Sequence, residues 1–209
     1  MQSRQAVRLP FFRAPGMGAF WMRCLFSILA FGVVGSVFAQ APPAMPEKAA
    51  VCIACHGAGG NSAQPQYPVL AGQTSRYLYL QLKDYKEGLR THELMTPMVA
   101  DLTRDDMRDL AAYFSQQRPL PLPFKPDAEK ARLGKIKADD TLCTMCHLGK
   151  FAGQNEVPKV ANQYYEYVVK QLADFKARRR TNDAGSMTSV AGTLSDADIE
   201  NLGHYLAGL

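Results

Sequence analysis

Two short stretches of the sequence combine cysteines and a histidine in the same order. Residues 51–60 read VCIACHGAGG and residues 141–150 read TLCTMCHLGK, so each contains Cys-x-x-Cys-His, and the second copy begins 91 positions after the first. This pattern is the attachment signature of c-type haem, in which both thiols bind the macrocycle covalently and the histidine binds the iron. The sequence therefore predicts two covalently bound haem c groups. The residues expected to hold them are Cys52, Cys55 and His56 in the first copy and Cys143, Cys146 and His147 in the second.

Other uses of paired cysteines explain the motifs less well. A zinc ribbon also contains two Cys-x-x-Cys pairs, but they lie about 15–20 residues apart. A thioredoxin-like redox pair requires a βαβ unit, and the sequence shows no strand pattern of useful length. Two structural disulfides are chemically compatible with an exported chain, but they leave the two histidines unexplained.

The first 39 residues have the features of a secretory signal peptide. They contain four arginines and no acidic residue, and the apolar run 24–39 ends in a small-residue cleavage pattern. This run has 16 residues, fewer than the ~20 that a membrane-spanning helix needs. We therefore expect export of the chain and cleavage after residue 39, with translation starting at Met1, Met17 or Met22. Without residues 1–39 the net charge falls to +1, so the charge gives no argument for a nucleic-acid partner.

The remainder of the chain is an internal repeat. The stretch YPVLAGQ at 67–73 returns as VPKVANQ at 157–163, and the segment 95–114 returns at 187–206, with an offset that rises from 90 to 92. A proline-rich stretch between the copies is typical of an extended linker. We therefore expect a first domain at 40–118, a linker at 119–127 and a second domain at 128–209.

Each copy has the hydrophobic period of α-helices. The residues expected on one face of the first long helix are Leu78, Leu82, Tyr85 and Leu89. Thr103 and Asp106 have the spacing of a helix-capping box, and Ser195 and Asp198 repeat it in the second copy. The basic stretch 176–180 lies at an expected helix end, where the helix dipole favours cations. The fold class is therefore all-α, with three or four short helices in each copy.

A sixth iron ligand is expected from a methionine in each copy. Met95 and Met187 lie 43 and 44 residues after the first cysteine of their motifs, and both precede a capping box. Four other candidates fit less well, because the equivalent residue in the other copy cannot bind iron: Met98, Met107, His92 and His204. Met98 is the second choice in the first copy. A thioether ligand favours ferrous iron and raises the reduction potential, and it leaves no open position for a substrate. This ligation indicates electron transfer rather than catalysis.

Taken together, these motifs resemble the cytochrome c4 family. The resemblance rests on the two haem motifs, a turn that runs from proline to Gly-Gln or Asn-Gln, a QL-x-D-[YF]-K helix and a Met-x6-Leu-[ST]-x-x-Asp ending, and it covers essentially all residues after 39. It implies two tandem class I cytochrome c domains, each built around one haem, in a periplasmic electron carrier that is not an enzyme. It also implies that the carbonyls of Pro68 and Pro158 accept hydrogen bonds from His56 and His147.

The resemblance implies redox proteins as partners, namely a terminal oxidase, a bc1-type complex or a periplasmic dehydrogenase. Peripheral association with a membrane stays open, and no nucleic-acid partner is expected. The residues do not separate a free carrier from the dihaem subunit of an enzyme such as flavocytochrome c sulfide dehydrogenase. A dihaem peroxidase is a weaker alternative, because it needs an iron with a displaceable ligand. The second copy has Asn162 where the first has Gly72, so the two haem environments are expected to differ.

Overall fold

The structure is a computed structural model, and it describes residues 44–209. The expected signal peptide, residues 1–39, lies outside these residues. Among the helices of residues 44–209, none has both the length and the apolar character needed to cross a membrane.

The described part of the chain is helical, which confirms the all-α fold class. Its only strand-like pairing is an isolated bridge between Gln154 and Val157. The helices are α1 (Ala49–His56), α2 (Ser75–Lys86), α3 (Met95–Met98), α4 (Arg104–Ser115), α5 (Ala128–Asp140), α6 (Cys143–His147), α7 (Tyr165–Lys176), α8 (Ser186–Gly192) and α9 (Asp196–Ala207), with short 3-10 turns at Ala58–Gly60 and Gly149–Phe151. α1 to α4 form the first module, and α5 to α9 form the second.

The helix boundaries follow from local side-chain chemistry. Thr103 and Asp106 form a capping box at the start of α4, and Ser195 and Asp198 form one at the start of α9, which confirms both expected caps. The prediction that Leu89 lies on the apolar face of α2 is wrong. Leu89 is 58% exposed, because α2 ends at Lys86 and the chain then turns through a backbone with positive φ.

Three hydrophobic clusters hold the described residues together. In the first module α2 packs against α4, around a cluster that includes Leu78 and Leu110. In the second module α5 and α7 both pack against α9, around a cluster that includes Leu202. A third cluster contains Val69 from the first module and Tyr164 from the second. The two modules therefore share a small apolar core where they meet.

Two helices of the second module approach each other too closely for any side chain at the crossing. A Cβ atom on Gly134 in α5 would lie 2.1 Å from the carbonyl oxygen of Asn201 in α9. Contacts under 3.0 Å are essentially never tolerated by a Cβ atom. Glycine at this position therefore allows the close packing of α5 on α9.

The segment between α4 and α5 is an extended strap without helix, held by one asparagine from each module. Asn61 donates to the carbonyl of Arg118 at 3.1 Å and accepts from the backbone N–H of Leu120 at 2.7 Å. Asn162 donates to the carbonyl of Leu120 at 2.9 Å and accepts from the N–H of Leu122 at 3.2 Å. Like Gly72, Asn162 has a positive φ. The exchange of Gly72 for Asn162 therefore keeps the backbone turn and adds an anchor for the strap.

Candidate haem sites and the interface between the modules

The two motif histidines occupy equivalent positions and make equivalent hydrogen bonds. His56 ends α1 and His147 ends α6, and both side chains are buried. Nδ1 of His56 lies 2.9 Å from the carbonyl oxygen of Pro68, and Nδ1 of His147 lies 2.8 Å from that of Pro158. Since a carbonyl oxygen only accepts, Nδ1 carries the proton and donates, which leaves the lone pair of Nε2 for a metal. Burial lowers the pKa of both histidines, although the carbonyl bonds oppose the shift.

None of the four motif cysteines forms a disulfide, so all four are available for covalent attachment of haem. Cys55 and Cys146 are exposed, and Cys52 and Cys143 are partly buried. Burial raises the pKa of the Cys52 thiol. In residues 44–209 no group of three or more His, Cys, Asp or Glu side chains is arranged to hold a metal ion. Two thiols and a ligand-competent imidazole on successive turns of one helix fit haem c in each module.

The two methionines expected as sixth ligands stand at the start of equivalent short helices. Met95 is the first residue of α3, is partly buried, and packs against the same cluster as Cys52. Met187 is the second residue of α8 and is also partly buried. The second choice, Met98, is 52% exposed. Met107, in α4, is buried in the hydrophobic core and only 6% exposed. The assignment of Met95 and Met187 to iron stays a prediction.

The remaining candidate histidines lie outside this arrangement. His92 is exposed. His204 in α9 lies against the strap, where its ring centroid is 5.6 Å from that of Phe124 and 4.7 Å from that of Tyr165. Its Nδ1 accepts the backbone N–H of Asp127 at 3.2 Å.

Reciprocal glutamines join the two modules next to the proline carbonyls. The side chain of Gln73 accepts the N–H of Lys159 at 2.7 Å and donates to its carbonyl at 2.8 Å. Gln163 makes the same two bonds to Val69, at 2.9 and 3.0 Å. Gln73 matches Gln163, and Val69 matches Lys159, at an offset of 90. The interface thus repeats the internal symmetry of the sequence, and each module holds the segment that orients the histidine of the other.

Two buried arginines form a second reciprocal contact across the interface. Arg90 donates to Gln81 of its own module at 2.7 Å, and to Tyr167 at 3.1 Å and Gln171 at 2.8 Å in the other module. Arg180 donates to Gln171 of its own module at 2.6 Å. Across the interface it donates to Tyr77 and to Gln81, both at 3.0 Å. Both glutamine oxygens therefore accept from both guanidinium groups.

Charge at this interface is only partly balanced by carboxylates. Arg180 donates to the side-chain oxygen of Asn182, whose amide donates to Asp84 at 2.6 Å. The direct hydrogen-bond partners of both guanidinium groups are neutral side chains. Aromatic rings cover the guanidinium groups, and that of Arg90 lies 4.7 Å from the ring centroid of Tyr85. Burial alone raises the pKa of a phenol, but Arg180 and Arg90 outweigh burial at Tyr77 and lower its pKa. At Tyr85 burial prevails and raises the pKa to about 12.

The sequence did not lead us to this network. The basic stretch 176–180 does lie at a helix end, since α7 ends at Lys176, but its last residue, Arg180, is only 8% exposed. The signal that could have found it is the repeat itself, because Arg90, Gln81 and Tyr77 return at an offset of 90 as Arg180, Gln171 and Tyr167. Polar side chains that a repeat keeps in register are candidates for a symmetric contact.

Fold and site together define a c-type cytochrome with two haems. The family model for cytochrome c matches residues 47–118 and 131–209. Cytochrome c4 of Pseudomonas aeruginosa is 40% identical over 192 residues, covering 87% of this chain and 96% of that protein. The crystal structure of reduced cytochrome c4 from Pseudomonas stutzeri superposes with a TM-score of 0.73 at 40% identity, covering 78% of this chain and 95% of that one. A thiosulfate dehydrogenase electron acceptor from Thiomonas intermedia is 32% identical, covering 86% of this chain and 89% of that protein.

The chain belongs to the cytochrome c family and, within it, to the cytochrome c4 proteins. This confirms the resemblance, the two haem c cofactors and the assignment as an electron carrier rather than an enzyme.

Proposed function

We propose that this protein is exported to the periplasm and carries single electrons between redox proteins of a respiratory chain. The observation that carries the proposal is the pairing of two complete haem-attachment sites in modules joined by a buried, reciprocal interface. Bound haem supplies a reversible one-electron couple at its iron. We further propose that the domains comprise residues 40–118 and 128–209, joined by 119–127. The helix-free strap and the two segments matched by the family model support these boundaries.

In this proposal His56 and Met95 are the axial ligands of the first haem, and His147 and Met187 are those of the second. The carbonyls of Pro68 and Pro158 hold the imidazoles in one tautomer and one orientation, which tunes the metal. Support comes from the distances of 2.9 and 2.8 Å and from the equivalent placement of the two methionines.

The methionine assignment is tested with Met95→Ala, Met187→Ala and, as a control, Met98→Ala in the purified holoprotein. We expect each of the first two variants to lose part of the charge-transfer absorption of methionine-ligated ferric haem. Each should also bind carbon monoxide at one of its reduced haems. The control should keep the spectrum of the unaltered protein. If Met98→Ala loses the band and Met95→Ala keeps it, the ligand of the first haem is Met98.

A dehydrogenase that oxidises thiosulfate is our proposed example of an electron donor. The support is the Thiomonas relative, which is named as the electron acceptor of such an enzyme. A bc1-type complex is a second donor class, and a terminal oxidase is the proposed acceptor.

Stopped-flow mixing of the oxidised protein with thiosulfate dehydrogenase and thiosulfate tests the donor. Reduction of both haems at a rate that saturates with dehydrogenase concentration supports the proposal. No reduction by this enzyme, together with rapid reduction by a bc1-type complex, would contradict the proposal that thiosulfate dehydrogenase is the donor.

Mass spectrometry of the periplasmic fraction tests export. It should find the mature chain beginning at Gln40 with two haems attached, and a chain retained in the cytoplasm would contradict export.

A further inference from the structure

One position at the interface breaks the symmetry of the two modules with a charge. Pro68 is followed by Val69, which is 4% exposed, whereas the equivalent Pro158 is followed by Lys159. The main chain of both residues is held by a glutamine of the other module. The two positions therefore share their backbone environment and differ in the side chain.

The ammonium group of Lys159 is partly desolvated and lacks an acidic partner. Its Nζ donates to the carbonyl of Ala161 at 2.6 Å. Within residues 44–209, no Asp or Glu oxygen lies within 4.0 Å of it. Burial lowers its pKa. The side chain is only partly buried, and loss of the charge at neutral pH requires much deeper burial. Lys159 therefore places a cation without an acidic partner on the segment that Gln73 of the first module holds.

This cation follows directly on the residue that orients the second histidine. The carbonyl of Pro158 accepts a hydrogen bond from His147, and Lys159 is the next residue in the chain. Two other cations that occur only in the second module are better screened. Lys170 and Arg179 have no charged counterparts in the first module, but both are more than half exposed and both pair with Asp174. The buried arginines occur once in each module, at equivalent positions, so they do not distinguish the two modules by charge.

We propose that Lys159 is a tuning residue that raises the midpoint potential of the haem attached at Cys143 and Cys146. Reduction of a bound haem would add one electron to this module, and a cation in the same module would stabilise the reduced state by Coulomb attraction. Val69 provides no such charge in the first module. The two haems of one molecule thereby acquire different potentials. This inference rests on the proposed function, since it requires that both haems are redox-active.

The test is a spectroelectrochemical titration of the full-length holoprotein with Lys159→Met, which keeps the apolar stem and removes the charge. NMR signals of the haem methyl groups assign each midpoint potential to one module. We expect the potential of the second haem to fall and that of the first to stay unchanged. Lys159→Arg, which keeps the charge, should restore the original value. Val69→Lys should raise the potential of the first haem.

Lys150→Gln is the matched control, because Lys150 is an exposed lysine of the same module only three residues after His147. Salt screens exposed charges strongly and buried charges weakly. The shift caused by Lys159→Met should therefore persist at 1 M salt, whereas any shift caused by Lys150→Gln should vanish.

The possible failures are distinguishable. If pyridine haemochrome analysis finds fewer than two haem c groups per chain, the proposed function is refuted and this inference with it. If two redox-active haems are present and Lys159→Met leaves both potentials unchanged, or lowers both equally, only the role of Lys159 is refuted.

Discussion

Arg90 should stabilise the association of the modules measurably, and Arg90→Met tests this. Its guanidinium group makes three hydrogen bonds, two of which cross to Tyr167 and Gln171 of the second module. A hydrogen bond to a charged group contributes about 1.5–3 kcal/mol. In the variant the side-chain oxygen of Gln171 still accepts a hydrogen bond from Arg180. Losing its bond from Arg90 therefore costs less than leaving this oxygen without any donor. Removing one of two neighbouring cations also relieves some repulsion.

The net loss in the free energy of unfolding should therefore be about 3 kcal/mol, at the lower end of the range for breaking a buried polar network. For a chain of this size, about 3 kcal/mol corresponds to a fall in Tm of roughly 6–12 °C. Thermal unfolding of the holoprotein, followed by far-UV circular dichroism, measures the change. In a double-mutant cycle, Tyr167→Phe should show a coupling energy with Arg90→Met of about 1–2 kcal/mol.

Arg178→Met is the control for Arg90→Met, because Arg178 is exposed on the surface of the second module. An exposed substitution away from special features changes stability by less than about 0.5 kcal/mol. If Arg90→Met costs no more than Arg178→Met, or if its effect is independent of Tyr167, the arginines do not hold the modules together and our reading of the interface is wrong.

Three further predictions concern the second module. Gly134→Ala should lower the free energy of unfolding by about 1–3 kcal/mol through overpacking against α9, whereas Gly149→Ala, with no atom within 4 Å of the added Cβ, should be almost neutral. Ser195→Ala should cost about 1 kcal/mol by removing the cap of α9, and an unchanged Tm would contradict that role. Because Lys170 and Arg179 lower the pKa of Asp174 despite its burial, its contribution is complete above the ordinary aspartate pKa of 3.8 and disappears as the pH falls below it. The Tm difference between the unaltered protein and Asp174→Asn should therefore be largest above pH ~5 and decrease as the pH falls below 3.8, and a constant difference would refute the ion pairs.

Local patterns predicted the helices and the haem motifs because their causes are local. The capping boxes at Thr103 and Ser195 need only residues three positions apart, and Cys-x-x-Cys-His needs only one helical turn. The error at Leu89 has a local cause as well, since the period continued through Gly88, whose positive φ ends the helical path. The prediction that the two histidines bind haem needs no long-range information.

The interface was beyond such reasoning because its contacts join residues about 80–100 positions apart. Arg180 lies in a run of basic residues, and no periodicity separates it from the exposed Arg178. Arg180 is buried where it donates to Tyr77 and Gln81 of the first module, and this contact depends on how the modules meet. The proline-rich strap indicated two modules, but their relative placement comes from side chains such as Gln73 and Gln163.

The interface also adds stability that each small module lacks by itself. A module of about 80 residues buries little apolar surface and commonly needs an additional source of stability. Haem supplies part of it within each module, but the network between the modules makes a separate contribution. Gln73 and Gln163 fix the segments that contain Lys159 and Val69, so each module supports the histidine environment of the other. A change at the interface should therefore alter haem potentials as well as stability, and this is why Lys159, rather than an exposed charge, can distinguish the two haems.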